Sequence, residues 1–105
     1  MDQLEVLVLL DVVGLEDKEK FEKHISKEGF RVVEEENFVY TAKSSTTTFS
    51  TKAYILEVFK KGFHKQEFKG EANLIFLLNE TPYPAYYYDQ TTNDFELVEE
   101  TKEDK

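Results

Sequence analysis

An α+β domain built on an antiparallel sheet is the fold class this sequence predicts, on three observations. Two strongly aliphatic runs, Leu4–Val13 and Ala72–Leu78, stand near the two ends of the chain. Two amphipathic segments with charged faces and capping residues lie between them, and glycine or asparagine punctuates the joints. At 105 residues and 40% apolar content the chain makes one domain over 1–98. Such a length buries roughly 60–70% of the surface of the unfolded form, enough for one modest core.

The first run, LEVLVLLDVV, is rich in aliphatic and β-branched residues and too short for an ordinary buried helix before Gly14. It reads as a strand over 4–12. Leu4, Val6, Val8, Leu10 and Val12 share one face; Glu5, Leu7, Leu9, Asp11 and Val13 share the other. Both faces are apolar in the middle, so both are expected to be covered. A helix follows over 16–28, with Glu16 or Asp17 beside its first free N–H groups and Gly29 as the left-handed residue after its end. Its apolar stripe is thin: Leu15, Phe21 and Ile25, with Phe30 packing back. His24 is expected part-exposed beside Glu28 at i+4.

Strands over 31–35 and 38–43 are joined by a turn at Glu35-Glu36-Asn37, where Asn tolerates a left-handed backbone. A second helix over 50–61 buries Ala53, Ile55, Leu56, Phe59 and Phe63, with Gly62 as its stop. Phe63–Phe68 reads as either a short strand or a loop. The second aliphatic run gives a strand over 72–79. Pro82 and Pro84 then introduce Tyr86-Tyr87-Tyr88 and Phe95–Val98, a terminal strand or hairpin expected to extend the sheet beside 72–79. Glu99–Lys105 has no apolar residue and is expected to be a disordered charged tail.

Strand, helix, strand, strand, helix, strand resembles the ferredoxin-like βαββαβ sandwich. The resemblance implies two helices on one face of the sheet, with the first and third strands central. The other face would then carry Leu7 and Leu9 with Ile75 and Leu77, or with Leu74, Phe76 and Leu78 in the other register. Aliphatic surface of that extent marks an interface. Leu7, Leu9, Tyr86, Tyr87 and Tyr88 are therefore the expected interface residues, and the protein is expected to be a homodimer.

Composition narrows the chemistry. The chain has no cysteine, which excludes disulfides, thiolate nucleophiles and Cys-ligated metals. Its longest apolar stretches are far short of the roughly 20 residues that span a bilayer, and no basic residue precedes the first. No membrane is expected, and the location is expected to be cytoplasmic. Thirteen basic against 22 acidic residues give a net charge of −9, which disfavours nucleic acid. The acidic runs Glu34-Glu35-Glu36 and Glu96/Glu99/Glu100 read as solubilising surface that could also meet another protein. No cofactor is implied.

Asp11 is the one candidate for chemistry, closing an aliphatic strand where loops converge. Ferredoxin-like nucleases of the CRISPR-adaptation and virulence-associated toxin type place an acidic residue similarly. That resemblance implies paired carboxylates at a dimer seam holding a divalent metal. The strand–Gly14–helix opening is similar to amino-acid-binding regulatory modules, which carry Pro-Gly where this chain has Val13-Gly14; a small-ligand sensor is what that would imply. His24 and His64 share no ligand spacing. The hydroxyl-rich stretch Ser44–Thr48 precedes a helix but has no glycine for a phosphate cradle. The tyrosines lack the interleaved cations of a base-stacking platform. A non-enzymatic, dimeric interaction or regulatory module is the leading reading, with the metal-dependent nuclease and the sensor as alternatives.

Overall fold

The computed structural model describes residues 3–98; the tail expected over 99–105 lies outside them. Nine elements follow in order: β1 (Leu4–Val13), α1 (Lys18–Lys27), β2 (Arg31–Val32), β3 (Val39–Ser44), α2 (Thr48–Lys65), β4 (Glu71–Leu78), β5 (Thr81–Pro82), β6 (Tyr86–Asp89) and β7 (Asp94–Leu97). The strands form one seven-stranded antiparallel sheet in the order β2-β3-β1-β4-β6-β7, with β5 also paired to β4. The first and third strands are interior.

Alternation along β1 decides what faces what. Val6, Val8 and Leu10 are buried with Tyr40 of β3 and with Ala72, Leu74, Phe76 and Leu78 of β4. These residues meet the two helices, so the core lies on one face of the sheet. Leu7 and Leu9 fall on the other face, opposite Leu77 and Ile75. Of the two registers the sequence allows, it is this one that forms.

The helix α1 begins where Asp17 Oδ1 accepts the Lys20 N–H at 3.0 Å. It buries Phe21, His24 and Ile25. His24 departs from expectation: it is buried, and its Nε2 lies 3.0 Å from the Val58 carbonyl of α2 instead of pairing with Glu28. The helix α2 starts at Thr47, whose hydroxyl accepts the Ser50 N–H. It then runs through Gly62 to Lys65, four residues past the expected end at Lys61. Gly62 is there for space. A Cβ on it would stand 2.7 Å from Phe21 Cε1 and 3.2 Å from His24 Cδ2, so the missing side chain is what lets α1 lie against α2. The segment Phe63–Phe68 is accordingly the last helical turn plus a cap, neither strand nor loop. Gln66 ends the helix and exchanges two hydrogen bonds with the backbone of Asp17, tying the end of α2 to the start of α1.

Two other expectations are corrected. The strand expected over 31–35 is only Arg31–Val32, because a turn begins at Val33. The left-handed residue in that turn is Phe38 (φ 60°) and not Asn37, whose side chain instead accepts from Lys18 Nζ. Phe38 packs against the core with Lys18 Nζ 4.8 Å above its ring. That burial and cation–π contact offset the roughly 1–2 kcal/mol cost of the left-handed backbone.

The terminal segment does extend the sheet beside β4. Asn79 and Glu80 both have positive φ, making the tight primed turn that suits a two-residue hairpin. Leu77 pairs with Pro82, then Leu74 with Tyr86, so the register slips by one residue around Pro84-Ala85. That bulge turns the next residues so that Tyr88 and Phe95 close over the core. Phe63 of α2 is where they meet: its ring stacks on Phe68 at 4.4 Å and on Phe21 at 5.0 Å and contacts both Tyr88 and Phe95.

Gly62→Ala raises helix propensity by about 1 kcal/mol yet forces Phe21 and His24 to move, an overpacking cost of roughly 1–3 kcal/mol. The net is a lower urea midpoint; a higher one would show that α1 can retreat freely. Tyr40 gives a second expectation. Its buried hydroxyl donates to Glu22 Oε2 at 2.8 Å, and burial first, then Glu22, pushes the phenol well above its ordinary range. The folded chain therefore keeps this phenol neutral where the unfolded chain ionises it, near pH 10. The contribution of this group to stability should therefore be constant near neutral pH and fall as pH rises through 10. Tyr40→Phe should lose about 1 kcal/mol at pH 7 and flatten that alkaline decline in urea titrations.

Candidate functional site

The sheet face away from the helices is the candidate site. Its centre is two cross-strand pairs, Leu7 opposite Leu77 and Leu9 opposite Ile75. Leu9 and Ile75 are 36% and 39% exposed, whereas the strand residues between them on the helix side are almost wholly buried. One row further, Asp11 lies opposite Asn73, Asn73 opposite Tyr87, and Tyr87 opposite Glu96. The terminal hairpin lies edge-on to β4 and not across this face, so the chain's own C-terminal strands leave the aliphatic rows open. Val39 and Thr41 of β3 extend the face, and Arg31 and Lys43 stand at its far border.

The tyrosines divide between faces, as alternation requires. Tyr87 is on the open face and 39% exposed. Tyr88 is buried among Phe63, Phe68 and Phe95, so its ring is used inside the chain and is not available to a partner. Tyr86 is half-buried and stacks on Phe76. Asp11 is an exposed strand residue on the open face. Among the described residues, no three His, Asp or Glu side chains converge as a metal site would require. Asp11 and the Glu34–Glu36 run are not brought together; the latter caps the β2–β3 turn.

The histidines serve the fold. His24 bonds to α2, and His64 Nε2 lies 2.7 Å from the Asn93 carbonyl, pinning the β6–β7 loop to α2 with the help of Lys60 and Asp94 at 3.7 Å. The hydroxyl-rich stretch is used locally too. Ser44 Oγ and Thr51 Oγ1 are 2.6 Å apart, the Thr46 N–H donates to Ser44 Oγ, and Thr47 caps α2.

Two open grooves adjoin the outer edge of β3, a feature the sequence reading missed. One, of about 750 Å³, lies on the open face between Arg31, Lys43, Glu5 and Leu7. The other, of about 450 Å³, lies on the helix side beneath Tyr54, beside Phe30 and Ile55. The signal available was that Lys43 lies two steps from Thr41 on one strand; Arg31 joins that face through its pairing with Thr41, which the register alone decides. What no pattern showed is that β2 stops short of Lys43.

Comparison with protein-family models, with curated proteins and with solved structures finds no match to this chain. Among the described residues, no helix is long and apolar enough to cross a membrane.

Proposed function

We propose that the protein is a non-enzymatic, self-associating interaction module of ferredoxin-like design, whose open sheet face takes a second copy of the chain. The fold part rests on the order β2-β3-β1-β4, with the first and third strands interior and two helices on one face; strands β5 to β7 are an extension of that plan beyond β4. The functional part rests on one observation. Two aliphatic cross-strand pairs, Leu9/Ile75 exposed and Leu7/Leu77 half-buried, stand uncovered by the helices at the centre of a sheet whose other side is packed.

Their arrangement suits self-pairing. Leu7/Leu77 and Leu9/Ile75 straddle the seam between β1 and β4. A two-fold axis along that seam lays β1 of one copy over β4 of the other, aliphatic on aliphatic at both levels. It also sets Asp11 against Asn73, an acid against an amide, so no like charges are forced together. Removing such surface from water contributes about 25 cal/mol per Å². The metal-dependent alternative needs the opposite juxtaposition, Asp11 beside Asp11.

Light scattering or sedimentation at submillimolar concentration tests this directly. The wild-type chain should be a dimer, Leu9→Lys should be a folded monomer, and Asp11→Asn should remain dimeric. A wild-type monomer at that concentration overturns the reading. Divalent-cation-dependent cleavage of nucleic acid that Asp11→Asn abolishes would favour the nuclease.

A further inference from the structure

We propose that the outer edge of β3 beyond β2 is a strand-addition site for an extended peptide carrying an acidic residue opposite Lys43. Pairing alternates along β3. Leu10 donates to the Phe38 carbonyl on the β1 side, and Val33 donates to the Val39 carbonyl on the β2 side. Val39, Thr41 and Lys43 therefore aim their N–H and C=O groups away from β1. Val39 is met by Val33 and Thr41 by Arg31. The residue in register with Lys43 would be Gly29, but Gly29 (φ 102°) donates to Ser26 and Phe30 to Ile25, which carries the chain out of the sheet into α1. Among the described residues, the Lys43 backbone has no backbone partner on this side.

The opposite edge of the sheet carries a guard at Phe95 that this one lacks. On β7 the outward Phe95 N–H is taken by the Asp94 carboxylate at 2.8 Å, a local block on strand addition. Lys43 has no such guard. The two grooves meet at this notch, since Gly29, Ala42 and Lys43 line both. A strand laid along Lys43–Ser45 would therefore drop alternate side chains into each.

Those grooves differ in chemistry and so specify the peptide. The residue exchanging hydrogen bonds with Lys43 points to the open face, beside the Lys43 and Arg31 side chains. Neither cation has a salt-bridge partner among the described residues. Glu5, in register with Lys43 on β1, and Glu80 at the β4–β5 turn line the same groove, with Glu5 on the side of β3 away from the added strand. An acidic side chain fits beside the two cations. The next residue points to the helix side, where Phe30, Ile55 and Tyr54 offer apolar surface, and an aliphatic side chain fits. The site lies in the plane of the sheet at β3, clear of the β1–β4 seam, so it does not depend on the proposed dimer.

The probe is a capped hexapeptide of alternating glutamate and valine, titrated into the full chain and followed by backbone amide resonances. The expected result is a saturable shift centred on the Lys43 amide with slowed hydrogen exchange there. Exchanging glutamate for lysine should weaken binding roughly tenfold, and Arg31→Glu should reverse that preference. Methylating the backbone nitrogen of alternate peptide residues, in either phase, should give one phase that abolishes binding. Absence of a saturable Lys43 shift overturns the proposal, as does binding that neither methylated phase affects. A shift centred instead on Leu97 of β7, or on Leu9 and Ile75, equally overturns it. Because light scattering reads the dimer separately, failure of either proposal is told apart from failure of the other.

Discussion

The packing of Phe63 is the constraint on which the rest of this structure depends. Its ring is fully buried where α1, α2, the turn at Phe68 and both strands of the terminal hairpin converge. Loss of such a ring typically costs 3–5 kcal/mol, a large share of the stability of a domain this size. The position is possible only because the residue before it is glycine. Gly62 lets Phe21 and His24 lie directly on α2, and the Gln66–Asp17 exchange and the His24–Val58 bond then hold the two helices in that relation. A hairpin of the length of β6–β7 is marginal alone, and Phe63 gives it a place to dock.

Because the helices and the aromatic cluster occupy one face, the sheet is asymmetric. Aromatic rings fill the packed side, whereas short aliphatic side chains, Leu7, Leu9, Ile75 and Leu77, occupy the centre of the other. The far edge of β4 is the place where a strand apolar on both faces would otherwise invite association, and the chain closes it with its own residues 81–89. Among the described residues, what remains open is the aliphatic face, the short uncovered end of β3 and the outer edge of β7. The first two are features suited to pairing with polypeptide by area and by backbone hydrogen bonds, and among the described residues no metal-binding group of side chains forms.

How much could be read in advance follows from the range of each signal. The parity of β1 placed Leu7 and Leu9 on the face away from Val8, and Asp17 and Thr47 stand where cap chemistry wants them. These depend on neighbours a few residues apart, since strand alternation and orphan N–H groups are local matters. Asp11 was expected to close the aliphatic strand where loops converge; it lies instead within β1, paired with Asn73 and followed by Val12 and Val13, which are also paired to β4. Its surroundings, Asn73 and Tyr87, belong to strands more than sixty residues away and were not legible.

The sequence by itself determined the two amphipathic helices, the two aliphatic strands, their inner and outer faces and the strand-forming character of the tyrosine segment. Tertiary structure decided the rest. It made Gly62 a packing gap in place of a helix stop, buried His24 against a carbonyl, and allowed a left-handed phenylalanine because Lys18 and the core receive its ring. It also cut β2 to two residues, because a turn closed by the Glu36 N–H on the Val33 carbonyl takes over at its end, while Gly29 and Phe30 bond back to α1 and keep the strand from reaching Lys43 at its start. Local propensity weighs one residue against its own backbone. Whether a glycine ends a helix, or a strand stops short of its neighbour, depends on which distant side chain or carbonyl arrives beside it, and that is settled only when the whole chain packs.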